Sequence, residues 1–409
     1  MCDLHENGNR LRFAFMKHRG LPFHLQRRRS NRCSLAAAGI AFITSVAMLP
    51  SALKPGAVRI DEREGWAKPC IMVLPSPDVS RVAGLPPGKI RTAYGFDLVS
   101  NQGEGTTIAV IEAFDNPDAK SDLAIFSSQF GLPMPDFEVI YAWGTRPRVN
   151  QDWARESSMD IEWAHAVAPL ARILLVEAPS STNPGLMDAV DFAARSASVV
   201  SMSFGGPEFS GETSLDSHFA VPGVMFCAAS GNRGRGAQYP AASPLVVAVG
   251  GTALQVDSQG EYISESAWKG SGGGLSSFEY EPFYQLGVQS SGKRGIPDVA
   301  YNAAPETGVP VYSHYGFGGW KVVGGTSIGA PQWAGLFAIA NSVRREKRRS
   351  SLNRAQVTLY SNMASFHDIT SGRNGRFGVR CKAKAGYDFV TGIGSPRSDL
   401  VIAALTAVE

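Results

Sequence analysis

From residue 106 the chain alternates short apolar, β-rich runs with helix-period stretches, and no other feature restricts its fold as much. Strand-like runs at 106–113, 137–142, 171–178, 198–204 and 223–230 are interleaved with helical patterns at 118–131, 153–168 and 185–197. Repetition of strand, helix, strand implies an α/β fold, a parallel sheet with helices covering both faces, because each crossover helix must lie on one face or the other. Catalytic groups in such sheets gather at the carboxyl ends of the strands. The 409 residues, 44% hydrophobic and 18% charged, are ample for one large core. Forty-four glycines and twenty-five prolines without a repeat period indicate tight turns and long loops, not a solenoid.

Ahead of this region, an apolar stretch at 34–53 follows Arg27-Arg28-Arg29 and Arg32, the order of a secretory signal peptide, with Ser45-Val46-Ala47 offering small residues for cleavage. A retained membrane anchor is the alternative, although the run is near the lower limit for spanning a bilayer. Residues 1–47 are therefore read as a signal peptide, 48–83 as a linker or short N-terminal arm, and 84–409 as a single domain. Loss of 1–47 removes eight Lys/Arg and two Asp/Glu, so the formal charge moves from +3 to 31 minus 34, or −3. The basic balance thus belongs to the targeting segment, nucleic acid is not an expected partner, and the run Arg344–Arg349 reads as a solvated loop after a helix. No stable membrane association is expected after cleavage, and the mature chain is taken as a secreted or periplasmic monomer. Cys70, Cys227 and Cys381 remain, an odd number and not a disulfide scaffold; whether Cys70 and Cys381 pair is open.

Ser327 lies in Gly324-Gly325-Thr326-Ser327-Ile328-Gly329-Ala330-Pro331, between a strand-like run at 320–323 and a helical pattern at 332–343. Glycines permit a tight turn, and a side chain at a helix start meets unpaired N–H groups and the positive end of the dipole. The spacing suits a nucleophile, and it equally suits an ordinary helix cap. Glu156 and Asp160 stand four apart on one helical face, where two acids would share a proton and split their pKa values if buried. With Asp152 and Glu162 on the same helix, a solvent-facing acidic stripe is the competing reading. In a third segment a strand ends in Ser230-Gly231-Asn232, whose amide could donate to an oxyanion or simply occupy a turn.

Taken in order, Ile111-Glu112, Gly131-Leu132-Pro133, Glu156-x3-Asp160, Ala168-Pro169, Ser201-Met202-Ser203-Phe204-Gly205, Gly231-Asn232, the turn at 325–331, Asp368-Ile369-Thr370 and Gly392-Ile393-Gly394-Ser395-Pro396 resemble the sedolisins, serine-carboxyl peptidases with a subtilisin-like fold. The resemblance covers about residues 84 to 405. It implies an acyl-enzyme mechanism with Ser327 as nucleophile, Glu156 as general base, Asp160 supporting Glu156, Asn232 as oxyanion donor and Glu112 extending the acid network. It also implies one structural Ca²⁺ held by the Asp368 and Asp388 carboxylates and the carbonyls of Ile369, Lys384 and Gly386. A carboxylate base, with a reference pKa of about 4.3, implies work in acid solution on unfolded proteins or peptides.

Two departures stand out. The family ordinarily has an aspartic acid where this chain has Asn232, and it carries a large folded prodomain where only about forty residues separate the expected signal from Leu85-Pro86-Pro87. A catalytically inactive binding module on the same fold is one alternative. Another is an esterase, since Gly325-Thr326-Ser327-Ile328-Gly329 also satisfies the nucleophile-elbow pattern, although that leaves Glu156, Asp160 and Asn232 without work. His165, near Asp160, is read as a helix histidine beside the site, and no histidine or cysteine spacing suits zinc. Residues 251–325 are expected to form loops and short strands along one wall.

Overall fold

A computed structural model describes residues 67–75, 78–376 and 378–408. The expected signal peptide at 1–47, and residues 48–66 of the expected linker or arm, lie outside the described residues. Eight strands form the main sheet: β1 (Thr107–Ala113), β2 (Phe137–Tyr141), β3 (Arg172–Ala178), β4 (Val199–Met202), β5 (Met225–Ala229), β6 (Val247–Val256), β7 (Tyr262–Ala267) and β8 (Val299–Asn302). Their order is β7-β6-β5-β4-β1-β3-β2, with β8 beside β6, and every pairing is parallel except β6 with β7. β1 to β5 are the runs of β-branched and small apolar residues that the alternation predicts, β6 to β8 extend the sheet beyond them, and the central strands are buried because helices cover them.

Side-chain alternation along β1 divides the interior in two. Ile108 and Val110 pack in one core with the helices α1 (Ala119–Phe130), α2 (Gln151–Val167) and α4 (Gly329–Glu346). Ala109, Ile111 and Ala113 face a second core on the other side, against Leu186, Met187 and Val190 of α3 (Asn183–Ala193). Period-2 alternation then dictates that Glu112, between Ile111 and Ala113, points toward the α2 face. Glu177 on β3 follows Ile173 and Leu175 onto that same face and is the register partner of Glu112. Helix α2 starts where the Asn150 side chain accepts from the Asp152 and Trp153 N–H groups, satisfying two of its otherwise unpaired donors.

Two expectations are revised. The basic run begins inside α4, and Arg344 is buried, its guanidinium donating to the carbonyls of Ser350, Leu405 and Val408. It ties the helix Ser398–Ala407 to α4 instead of facing solvent. Residues 251–325 contain longer paired strands than expected, because segments far apart in the chain, such as β6 and β8, satisfy backbone groups that the sequence alone leaves open.

The described part of the expected linker or arm lies along the domain. Lys68 and Pro69 pair antiparallel with Gly205 and Phe204, and Met72 and Val73 pair antiparallel with Gly324 and Val323. No described helix is long and apolar enough to cross a membrane.

Candidate active site

Gly325 has φ +110, a backbone conformation that a side chain would strain, and a Cβ there would collide with the Cys70 carbonyl. The following residues, Thr326–Ile328, make a single 3₁₀ turn before α4, and Ser327 is fully buried. Its hydroxyl makes no capping bond to the helix; it donates to the Ser203 carbonyl at 3.3 Å, just beyond the carboxyl end of β4. Of the two sequence readings of Ser327, an ordinary cap does not describe this geometry.

Glu156 and Asp160 are also fully buried, and Glu112 is 1% exposed. The acidic-stripe alternative therefore fails for this face of α2: Asp152 is exposed, and Glu162, buried elsewhere, accepts from the Tyr312 N–H. Sheet alternation brings Glu112 up beneath the helix, so three buried carboxyl groups stand together behind Ser327. Burial, with mutual repulsion second, pushes the carboxyls of Glu156 and Glu112 well above the usual range, while burial alone does so for Asp160. Their six oxygens complete no strict hydrogen bond among the described residues. The neighbours are nonetheless at hand, with the Ser327 hydroxyl and Ile71 N–H beside Glu156, and Glu112 and the Ser203 hydroxyl beside Asp160. Such contacts tighten when a substrate and a proton are in place.

Asn232, half-buried after β5, bridges the turn and the arm. Its Oδ1 accepts from the Thr326 N–H at 2.8 Å and from the Thr326 hydroxyl, which fixes the amide orientation. Nδ2 is left to donate to the Cys70 carbonyl at 2.5 Å. Cys70 in turn donates its N–H to the Ser203 carbonyl at 3.0 Å, the same oxygen that receives the Ser327 hydroxyl. Hydroxyl, carboxyl and amide thus lie around the Ser203 and Cys70 carbonyls, groups of the kinds that can attack a carbonyl, take up the proton and hold the resulting oxyanion.

Sequence reasoning missed two contributors. Glu177, pushed up to about 8 mainly by burial, stands in register beside Glu112 and extends the acid network toward Asp115, which Arg146 clamps at 2.8 and 2.9 Å. The repeated endings Ile111-Glu112-Ala113 and Val176-Glu177-Ala178 of adjacent strands were the available signal. Ser203 was visible only as part of a motif. His165 points away, its Nε2 3.0 Å from the Pro133 carbonyl.

Of the expected metal ligands, Asp368 and Asp388 converge on one loop, accepting from the N–H groups of Gly386 at 2.9 Å and Lys384 at 3.1 Å. Asp388 additionally takes the N–H groups of Val390 and Thr391 and the Thr391 hydroxyl, filling its acceptor positions. Ile369 is buried nearby in sequence, and no cluster of three or more His, Cys, Asp or Glu suited to a metal occurs among the described residues. Cys70, Cys227 and Cys381 are free, buried thiols, so Cys70 and Cys381 do not pair.

Comparisons with known proteins agree on one family. The chain is 29% identical over 347 residues to sedolisin of Pseudomonas sp. (strain 101), spanning 74% of this chain and 57% of the relative. It is 35% identical over 346 residues to kumamolisin of Bacillus sp. (strain MN-32), spanning 74% and 60%. Tripeptidyl-peptidase 1 of Dictyostelium discoideum is 29% identical over 365 residues, 78% and 58%. The chain therefore spans somewhat under two thirds of the length of these relatives. Among solved structures, Pseudomonas sedolisin, a serine-carboxyl proteinase complexed with two molecules of pseudo-iodotyrostatin, superposes with a TM-score of 0.71 at 28% identity, covering 80% of this chain and 99% of that one. No family model matches the chain.

The buried acids make stability depend on pH in a definite direction. Their folded-state pKa values lie above the unfolded value of about 4.3, so the native state keeps protons that the unfolded chain releases. Stability from this source is complete below about pH 4 and is lost as pH rises through the folded values. Melting curves should show Tm falling from mild acid to neutral pH, and Glu112→Gln, which cannot ionise, should flatten that fall. An unchanged slope in the variant would show that the network does not carry the effect.

Proposed function

Because this chain belongs to the sedolisin family, we propose that it is a secreted serine-carboxyl endopeptidase that hydrolyses unfolded proteins or peptides in acid solution through an acyl-enzyme on Ser327. The observation that carries the reading is that the Asn232 amide donates to the Cys70 carbonyl while the Cys70 N–H and the Ser327 hydroxyl share the Ser203 carbonyl as acceptor.

In the proposed reaction Ser327 attacks the carbonyl carbon while Glu156 takes the hydroxyl proton. Asn232 receives the developing oxyanion, a donor whose removal typically costs roughly 10²–10³ in turnover. Glu156 then returns the proton to the leaving amine, and water repeats the sequence to free Ser327. Asp160 and Glu112 hold one proton between them, so Glu156 can be the ionised member; they act as positioning residues. Two features support acid conditions. The base is a carboxylate where imidazole would be protonated. Eleven described carboxyls are raised by burial, against two lowered ones that are both exposed, so protonation suits the folded domain. Secretion rests on the basic and apolar order of residues 1–47.

We also propose one structural Ca²⁺ held by Asp368 and Asp388 with the carbonyls of Ile369, Lys384 and Gly386. Convergence of the two carboxylates on one loop supports it, and the amides now bonded to them would have to turn away.

Digestion of casein across a pH range, with the products sequenced, should show internal cleavage in acid that falls by roughly 10⁶ in Ser327→Ala. Persistence of cleavage in that variant would move the nucleophile elsewhere, and failure of Ser327 to react with a fluorophosphonate in acid would favour an inactive binding module. Asn232 donates without needing a proton, whereas an aspartate there, with its other oxygen fixed by Thr326, donates only when protonated. The alkaline limb of kcat/KM should therefore move to lower pH in Asn232→Asp; an unchanged limb refutes the oxyanion role. A chelator should lower Tm, with recovery on adding Ca²⁺, and coincident melting curves with and without chelator would remove the calcium proposal.

A further inference from the structure

A cleft of about 440 Å³ opens at the amino ends of β1 and β4, the end of the sheet away from Ser327. Its wall includes Gly105, Ser198, Asn341, Arg345, Arg349 and Ser351, and no acidic side chain lines it. Helix α4 carries the chain from the Ser327 turn to this cleft, a rise from Gly329 to Arg345 of about 24 Å. The turn that ends α4 brings its two arginines together. The Arg348 N–H donates to the Arg345 carbonyl at 2.9 Å and the Arg349 N–H to the Arg344 carbonyl at 2.8 Å, a paired closure that ordinarily has glycine at its left-handed position. Arg348 holds that position here, at φ 57, where a side chain is strained. With the Lys347 N–H on the Val343 carbonyl, the turn also occupies three of the last helix carbonyls, so the negative end of the dipole is not left bare beside the cleft.

Both guanidinium groups keep unused donors. Arg349 is anchored through Nη1 alone, to the carbonyls of Thr406 at 2.5 Å and Val408 at 3.1 Å. Arg345 makes no side-chain hydrogen bond or ion pair among the described residues, and its Nη1 lies against Gly105, where a Cβ would fall 1.5 Å away. Glu346, next to it in sequence, accepts from Asn101 Nδ2 at 2.8 Å and does not line the cleft. Asn341 is 3% exposed, its Oδ1 accepting from the Leu352 N–H at 2.8 Å, while its Nδ2 has no partner among the described residues. The Ser198 hydroxyl is likewise buried and unpartnered. Donors left unpaired in a folded chain are costly, and here they stand with two cations around a space that holds no anion of the protein's own. We propose that this cleft is a binding site for a phosphate or sulfate group, free or carried by a small molecule. A guanidinium fork matches two oxygens of such a group and keeps its charge in acid, where the peptidase is proposed to work. Asn341, Ser198 and Ser351 supply neutral donors for the remaining oxygens. The volume falls in the range of small-molecule sites, roughly 300–1,000 Å³. Because β1, β4 and the turn after α4 meet only in the folded domain, the ligand binds that state and stabilises it by mass action.

The test uses the full chain with inorganic phosphate, inorganic sulfate and glucose 6-phosphate, each compared with sodium chloride at equal ionic strength and followed by Tm and by calorimetric titration. The unaltered chain should gain Tm saturably with each probe, beyond the unsaturating rise that excluded salts give any protein. Arg345→Gln, which breaks no hydrogen bond of the folded chain, should keep its Tm in chloride and bind each probe roughly tenfold more weakly. Replacing Arg349 by Gln as well should abolish saturable binding. Casein hydrolysis in Arg345→Gln should match that of the unaltered chain, since the cleft lies at the far end of α4 from Ser327. Glucose 6-phosphate binding more tightly than inorganic phosphate supports a carried group, and equal binding supports the free oxyanion. Absence of saturable binding for all three probes, or equal affinity in the unaltered chain and Arg345→Gln, overturns the proposal whatever casein shows.

Discussion

Three buried carboxyl groups stand behind Ser327, and the surrounding fold is arranged so that they can coexist there. Ionising all three would place like charges together in a medium that screens them poorly, so protons must be shared. That constraint sets where Glu112 may sit on its strand, which face α2 presents, and why the Ser203 hydroxyl lies by Asp160. In the proposed reaction it also supplies the base, because a carboxylate made basic by burial takes a proton more readily than an exposed one.

The network is continuous with the rest of the sheet. Glu112 and Glu177 are register partners on β1 and β3, and Asp115 with Arg146 carries the chain of charges out to solvent. Acid groups at strand carboxyl ends are thus stacked from the surface clamp inward to the hydroxyl. At the other side of the hydroxyl stands Asn232, an uncharged donor. Its neutrality adds no further negative charge to a pocket already holding three carboxyls, and Thr326 prevents the amide from flipping.

The arm changes what the site means. With residues 67–75 laid along the domain, the strand edges at Phe204-Gly205 and Val323-Gly324 are already paired, and Ser327 is buried. Little in residues 67–75 advertises this; the apolar run Ile71-Met72-Val73-Leu74 between Pro69 and Pro75 reads as an undistinguished short strand.

Local chemistry was legible from the sequence wherever it repeats at the period of an element. Alternating strand and helix runs disclosed the parallel sheet, the four-residue spacing placed Glu156 and Asp160 on one face, and the glycine turn marked Ser327. Sequence could not say which way that face points, because a helix of this composition can bury either stripe. Nor could it say what lies beside Glu112, since a strand's neighbour is chosen by topology, or that Arg344 is buried against carbonyls sixty residues away in the chain. Only the packed structure decided that hydroxyl, acids, amide and the Cys70–Ile71 peptide share one place: spacing along a chain fixes the faces of single elements, while distances between elements come from how apolar surfaces exclude water together.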